Sequence, residues 1–388
     1  MANVWPTMTV EQLQQRRILL VEDGNHGEYR PRPDEFVSAG VAFIRAADMD
    51  SGRVLFESAS KINAHARQRI TKGIGAPGDV LLSHKGTVGK LALVPDDAPA
   101  FVCSPQTTFW RTLDQERLDR KFLYAFLRSP GFHAQLARAL FKWWFVDFDP
   151  GRAKAEGRDP GLPKPLADLF PDRFVDSELG EIPQGWQLGP ILICAELLNG
   201  GTPKTDRAEF WGGPISWASA KDVSQCGQTF LLDTERTITA KGLEESATQL
   251  IPAFSTVVVA RGATTGRIVL FGREMAMNQT CYALKSKLNA PFALYCQLRQ
   301  EINALVHAAH GSVFDTITTS TFTNSKVVIP TPELIAAFER LAAPVFLRIL
   351  SNTDESRTLA TLRDILLPKL ISGELRIYDA EKLAAWVL

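Results

Sequence analysis

LLSHKGTVGKLALV (residues 81–94) and VVVARGATTGRIVLF (residues 257–271) are the two stretches on which the reading of this chain turns. Taken alone, the first looks like a phosphate-binding loop, with Gly86, Gly89 and Lys90 behind the apolar run Val80-Leu81-Leu82. A Walker A loop needs four residues between its glycines and Lys-Ser/Thr after them. Here two residues separate the glycines and Leu91 follows the lysine. The second stretch supplies the better explanation. Lys85-Gly86 matches Arg261-Gly262, and Gly89-Lys90 matches Gly266-Arg267, with one extra residue in the second copy. β-branched runs on either side of a glycine-containing turn predict a hairpin in each copy.

The match extends outward. Ala47-Asp48-Met49 answers to Lys221-Asp222-Val223, Ile62 to Ile238, Gln106-Thr107 to Gln279-Thr280, and Tyr124 with Leu127-Arg128 to Tyr295 with Leu298-Arg299. The offset stays between 171 and 177 over roughly 90 positions, the mark of an internal duplication. Each copy reads as mainly β and passes into a helix near Lys121 or Pro291. A run from Pro332 to about Ser372 lacks glycine and repeats every seven residues at Phe338, Val345, Asn352, Leu359 and Leu366. That is a coiled-coil-like seam with one polar position, and some 40 residues of helix span about 60 Å.

The copies differ in one place. Lys142 in ALFKWWF aligns with Lys369 in LLPKLIS; Leu127 lies 15 residues before the former, but Leu298 lies 71 before the latter. The first copy thus lacks 56 residues, covering a Ser/Thr-rich loop, a strand and most of the helix. The expected organisation is a first β domain over 1–130, a shortened central helix and junction over 131–186, a second β domain over 187–331, and a long helix with its tail over 332–388.

Bulk properties narrow the class. The 388 residues are 45% apolar and carry 43 lysines and arginines against 43 carboxylates, so a sizeable core is expected and net charge announces no partner. Five scattered cysteines form no CxxC pair, no run approaches a membrane span, and no signal-peptide pattern opens the chain, so a cytoplasmic setting is expected. No catalytic motif fits. Ser129-Pro130-Gly131-Phe132 has the wrong third residue for an adenine-methylating tetrapeptide. Pro95-Asp96 with Asp119-Arg120-Lys121 is only a loose nuclease pattern, because the second triplet opens a helix where a strand is needed. His307 and His310, three apart, lack a third metal ligand. Local charge is more telling: residues 61–90 carry six basic residues against Asp79, and residues 236–273 carry five against two. Both stretches include the repeated hairpin, and basic turns on a β scaffold suit nucleic acid.

With these features in place, the chain resembles the specificity subunit of Type I restriction–modification systems over nearly its whole length. The resemblance rests on DGNHGEYRPRPDEF with GVAFIRAADM, the junction FKWWFVDFDPGRAKAEGRDP through LFPDRFVDSELGEIPQGW, NGGTPKT with FWGGPISWASAKDV, and the terminal LLPKLISGEL. It implies an α+β fold: two similar, mainly β target-recognition domains joined by helices that form an antiparallel spacer, here with its central helix shortened. It also implies a non-catalytic subunit, without a metal site, that reads a split site on double-stranded DNA. Its implied partners are two adenine methyltransferase subunits and, in the larger assembly, restriction subunits. S-adenosylmethionine, ATP and magnesium would be used by those partners and not bound here. Carried onto this sequence, the DNA-binding candidates are His26, Tyr29, Arg30, His84 and Lys85 in the first domain and Lys204, Thr205, Lys221 and Arg261 in the second. Gly86, Gly89, Gly262 and Gly266 are expected to serve turn geometry. Trp143, Trp144, Phe145, Leu362, Leu366 and Leu370 are the candidates for docking the methyltransferase, with helix packing as their alternative role. The shortfall adds an expectation of self-association through the long helix. A decoy that binds methyltransferase without reading DNA and a free-standing DNA-cleaving enzyme are the competing classes.

Overall fold

A computed structural model describes residues 7–25, 29–84, 87–309 and 316–377. The chain divides into two compact units, one of residues 1–187 with 330–345 and one of 188–329 with 346–388. The duplication seen in the sequence is a duplication of topology.

In the first unit the strands of the two main sheets are β1 (Leu19–Asp23), β2 (Phe36–Val37), β3 (Val41–Ile44), β4 (Lys61–Ile62), β5 (Val80–Ser83), β6 (Leu91–Leu93), β7 (Phe101–Cys103) and β8 (Thr107–Thr112). They form two sheets, β1-β8-β5-β6 and β2-β4-β3-β7. The first is antiparallel throughout; in the second, β3 runs parallel to β7. The second unit has β9 (Ala195–Asn199), β10 (Trp211–Ala218), β11 (Phe230–Leu231), β12 (Arg236–Ile238), β13 (Leu250–Ile251), β14 (Thr256–Val259), β15 (Ile268–Phe271), β16 (Met275–Met277) and β17 (Cys281–Ser286). Its sheets are β9-β17-β14-β15-β11 and β12-β10-β16-β13. β10 again lies antiparallel to β12 and parallel to β16. Even the extra strands have counterparts, because single bridges Gly52–Ala92 and Ile74–Val102 stand where β11 and β13 pair. Register corrects one detail of the sequence alignment. Ser83 pairs with Thr107 and Val259 with Cys281, so Thr107 answers to Cys281 and not to Thr280, one residue further along.

The central strand of each unit is buried on both faces, which explains why it reads as a continuous apolar run and not an alternating one. Leu81 points into a cluster with Ile44, Phe101 and Phe109. Val80 and Leu82 pack the other way, against Leu123 and Leu127. Those two leucines lie on α2 (Arg120–Arg128), which follows the short α1 (Ala64–Arg69). Gly89, Gly262 and Gly266 hold φ of +86°, +97° and +87°, where a side chain would be strained, and Gly86 lies outside the described residues.

α3 (Pro130–Phe145) follows directly, with Ser129 accepting from Phe132 N–H at 3.2 Å and Pro130 in the first turn. In the second unit come α4 (Ala220–Gln225), α5 (Ala240–Glu244) and α6 (Pro291–Ala309). α7 (Pro332–Ile371) is a single helix of 40 residues, and Pro344 does not interrupt it. No helix among the described residues is long and apolar enough to cross a membrane.

The 56-residue shortfall leaves two visible marks. In the second unit Phe292, Ala293, Tyr295 and Cys296 on α6 are all buried, and Phe346 stacks on Phe292 at 4.7 Å. At the matching positions of α2, Lys121, Phe122 and Ala125 are exposed, Phe122 at 63%, and Tyr124 is half-buried. The segment whose counterpart would cover them is missing from the first copy. α7 shows the second mark: Phe338, Val345, Ile349 and Thr353 are buried, yet no residue from 354 to 371 is.

Candidate nucleic-acid interface

In the second unit the candidate side chains are linked by a chain of short contacts. The loop leaving β9 opens at Gly200, where a Cβ would lie 2.1 Å from the carbonyl oxygen of Asn278. Gly24 makes the same approach to Ser104 in the first unit, at 1.9 Å. Only glycine lets the chain pass so close to that backbone. Gly201 N–H then bonds Met277 O at 2.9 Å, and the loop runs on to exposed Lys204 and Thr205. The carbonyl of Lys204 accepts the indole N–H of Trp211 at 3.1 Å.

Lys221 stands in the first turn of α4, where Ser219 and Asp222 form a capping box. Its ammonium meets Glu235 at 2.6 Å, and that carboxylate holds the lysine's pKa above its ordinary value. Ser224 on the same helix donates to Thr264 at 2.6 Å, tying α4 to the turn between β14 and β15. Arg261 is exposed on that turn. Other basic residues of this unit are neutralised locally: Arg207 and Lys241 by Glu209, and Arg273 by Asp233.

The first unit has the same plan with different chemistry. The hydroxyl of Thr108 donates to Asp23 at 2.8 Å and lies 2.7 Å from His84 Nδ1. Thus His84 is seated at the end of the sheet where the chain leaves β1. Tyr29 and Arg30 are exposed, and the Arg30 carbonyl accepts from Arg69 at 3.5 Å. His26 and Lys85 lie outside the described residues, as do His310 and the side chain of His307. Much of the basic run 61–90 is structural. Arg69 clamps buried Glu35 with bonds of 2.5 and 2.6 Å, Arg67 donates to Ile70 O, and Lys90 Nζ donates to Met49 O at 3.0 Å. The Arg69 bonds, helped by the backbone N–H of Arg32, lower the Glu35 pKa to about 2.

The docking candidates divide. Trp144 and Phe145 are buried in the first unit, packed edge-on around Phe338 at 5.7 and 5.4 Å, with Phe170 and Trp186 beside them. Their role is packing. Trp143 is half-buried on α3, and Leu362, Leu366 and Leu370 are half-buried on α7. The residues of the loose nuclease pattern make structural contacts. Asp96 is held by Arg120 at 2.5 and 2.8 Å, and Asp119 caps α2 through Phe122 N–H. Burial pushes the thiols of Cys103 and Cys281 up to about 12, so neither is a thiolate at neutral pH.

Sequence reasoning missed one group. Trp211 and Trp217 pack at right angles, ring centroids 5.2 Å apart, and the Arg236 guanidinium lies 3.4 Å over Trp211. Phe36 and Phe43 form the matching pair in the first unit, at 5.7 Å and 79°. Spacing hid the correspondence: Phe36 and Trp211 match only through their shared pairing with Ile62 and Ile238.

Fold and surface together define a duplicated α+β protein that carries two versions of one surface. Comparison with known proteins agrees. Residues 183–338 match the family model for the Type I restriction modification DNA specificity domain. The chain is 28% identical over 287 residues to the Type I restriction enzyme HindI specificity subunit of Haemophilus influenzae, covering 62% of this chain and 61% of that one. It is 25% identical to the MjaIX specificity subunit of Methanocaldococcus jannaschii, covering 63% of this chain and 53% of that one. Its matches thus span roughly half to three-fifths of those relatives' length. A solved specificity subunit from M. genitalium aligns over 91% of this chain and 93% of its own, with 13% identity and a TM-score of 0.39. The chain is thus similar to Type I restriction–modification specificity subunits, and its residues 183–338 match their specificity domain.

Proposed function

We propose that this chain is the DNA sequence-recognition subunit of a Type I restriction–modification complex. Each unit reads one half of a bipartite site in double-stranded DNA, and the chain docks two adenine methyltransferase subunits. The observation that carries this reading is the duplicated surface, which carries an aromatic pair in both copies but different polar residues around it. Two such surfaces on one chain make the second contact intramolecular, so two modest affinities combine into one selective one. The chain supplies recognition and no chemistry. S-adenosylmethionine belongs to the methyltransferase partners, and ATP and magnesium to restriction subunits in a larger cytoplasmic assembly. Half-buried Trp143 on α3 and the Leu362, Leu366 and Leu370 seam of α7 are the surfaces left for protein partners. On the same reading α7 pairs with a second copy over residues 354–371, where the shortfall removes its internal partner.

The test is a binding selection from randomised duplexes, using the full chain alone and reconstituted with its methyltransferase subunits. The expected result is one split consensus with a fixed gap. Recovery of random sequence at moderate salt would refute recognition and favour the decoy class. Magnesium-dependent cleavage by the chain alone would refute the non-catalytic role.

A further inference from the structure

We infer that Arg236 reads a guanine in the half-site bound by the second unit, with Trp211 as the platform that aims it. The inference rests on the DNA-recognition reading above and adds the residue, the base and the half-site.

The geometry is that of a pre-oriented fork. Trp211 is fixed from two sides, by its indole N–H on Lys204 O and by its edge contact with Trp217. Trp217 is itself anchored through its indole N–H on Gly201 O at 3.0 Å. A guanidinium stacked on such a ring loses rotational freedom but keeps its in-plane N–H donors facing outward. In the present structure those donors make no hydrogen bond and no ion pair with any described residue. This sets Arg236 apart from Arg207, Lys221, Lys241 and Arg273, each of which faces a carboxylate. Arg236 also opens β12, the outer strand of its sheet, and its neighbour Glu235 holds Lys221. Lys204 and Lys221 therefore flank it as sources of phosphate contact.

Guanine is the base that fits. Its major-groove edge presents two acceptors, O6 and N7, at the spacing of the arginine fork, whereas adenine places a donor in that pair. A phosphate also accepts the arginine fork, but it would give affinity without a base preference.

The first unit lacks this reader. Arg236 pairs with Trp217, and the matching residue opposite Phe43 is Ser60, whose carbonyl accepts from Phe43 N–H at 2.8 Å. Phe36 is thus an exposed aromatic with no cation on it among the described residues, suited to apolar contact such as a thymine methyl. The guanine preference belongs to one half-site only.

The experiment is the same duplex selection, run with the unaltered chain, Arg236→Ala and Arg236→Lys, with thermal melting to show that each is folded. In Arg236→Ala, discrimination at one guanine of one half-site should fall roughly ten- to hundredfold, while the other half-site is unchanged. Arg236→Lys should keep most of the affinity and lose that discrimination, because an ammonium lacks the fork. Unchanged preferences at every position would overturn the inference. So would a uniform loss of affinity with the salt dependence shallower by about one phosphate contact. If the unaltered chain selects no sequence, the recognition reading itself falls, a result distinct from either of these.

Discussion

Replacing Phe338 by alanine should unfold the first unit far more readily than the same truncation of Leu359, although both occupy the same position of the heptad repeat. Phe338 is fully buried and its ring meets Phe141, Trp144 and Phe145 at 5.4, 5.7 and 5.4 Å. Emptying a buried phenylalanine site costs about 3–5 kcal/mol. Each of the three aromatic contacts contributes about 0.5–1.5 kcal/mol beyond the area it buries, so Phe338→Leu should still cost about 1.5 kcal/mol or more. Leu359 is 42% exposed on a stretch of α7 with no buried residue, and its truncation should shift stability by no more than about 0.5 kcal/mol. The assay is urea unfolding followed by tryptophan fluorescence, at sub-micromolar protein so that the helix is unpaired. Trp144 serves as the local reporter. A cost below about 1 kcal/mol for Phe338→Ala, or equal costs at the two sites, would show that the burial change along α7 is not what holds the helix.

Two further outcomes are expected. Glu35 has a folded pKa of about 2 against an ordinary 4.5, so its contribution is fully present above the ordinary value and drains away as pH falls towards 2. The melting-temperature gap between the unaltered chain and Glu35→Gln should therefore narrow from pH 5 to pH 2, and a constant gap would show that the Arg69 clamp does not act through charge. Sedimentation at tens of micromolar should reveal a dimer that Ile365→Asp weakens, since Ile365 is 53% exposed on the unpaired stretch. A strict monomer would argue against pairing through α7.

Much of this was legible in the residues. Glycines at matched turn positions, β-branched runs around them and the offset of 171–177 exposed the duplication, because backbone geometry constrains residue type locally. The family resemblance drew on long contiguous motifs, and the 40-residue helix showed itself by its lack of glycine and its seven-residue period. Side-chain roles were less readable. Lys90, Arg67 and Arg69 look like a basic patch in sequence but are committed to Met49 O, Ile70 O and Glu35. Trp144 and Phe145 look like a docking surface but are core.

What the sequence by itself determined is the plan: two copies, their turns, one long helix and one missing segment, all recorded in local residue patterns. Only the tertiary structure decided which of identical-looking positions are buried and which basic residues are free. Phe338 and Leu359 share a heptad position, and covering elements from elsewhere in the chain separate their fates. Arg236 and Trp211 are 25 residues apart, and they meet because a bulged strand brings an indole under a guanidinium. Such pairings depend on strand register across the sheet, which a linear pattern does not encode.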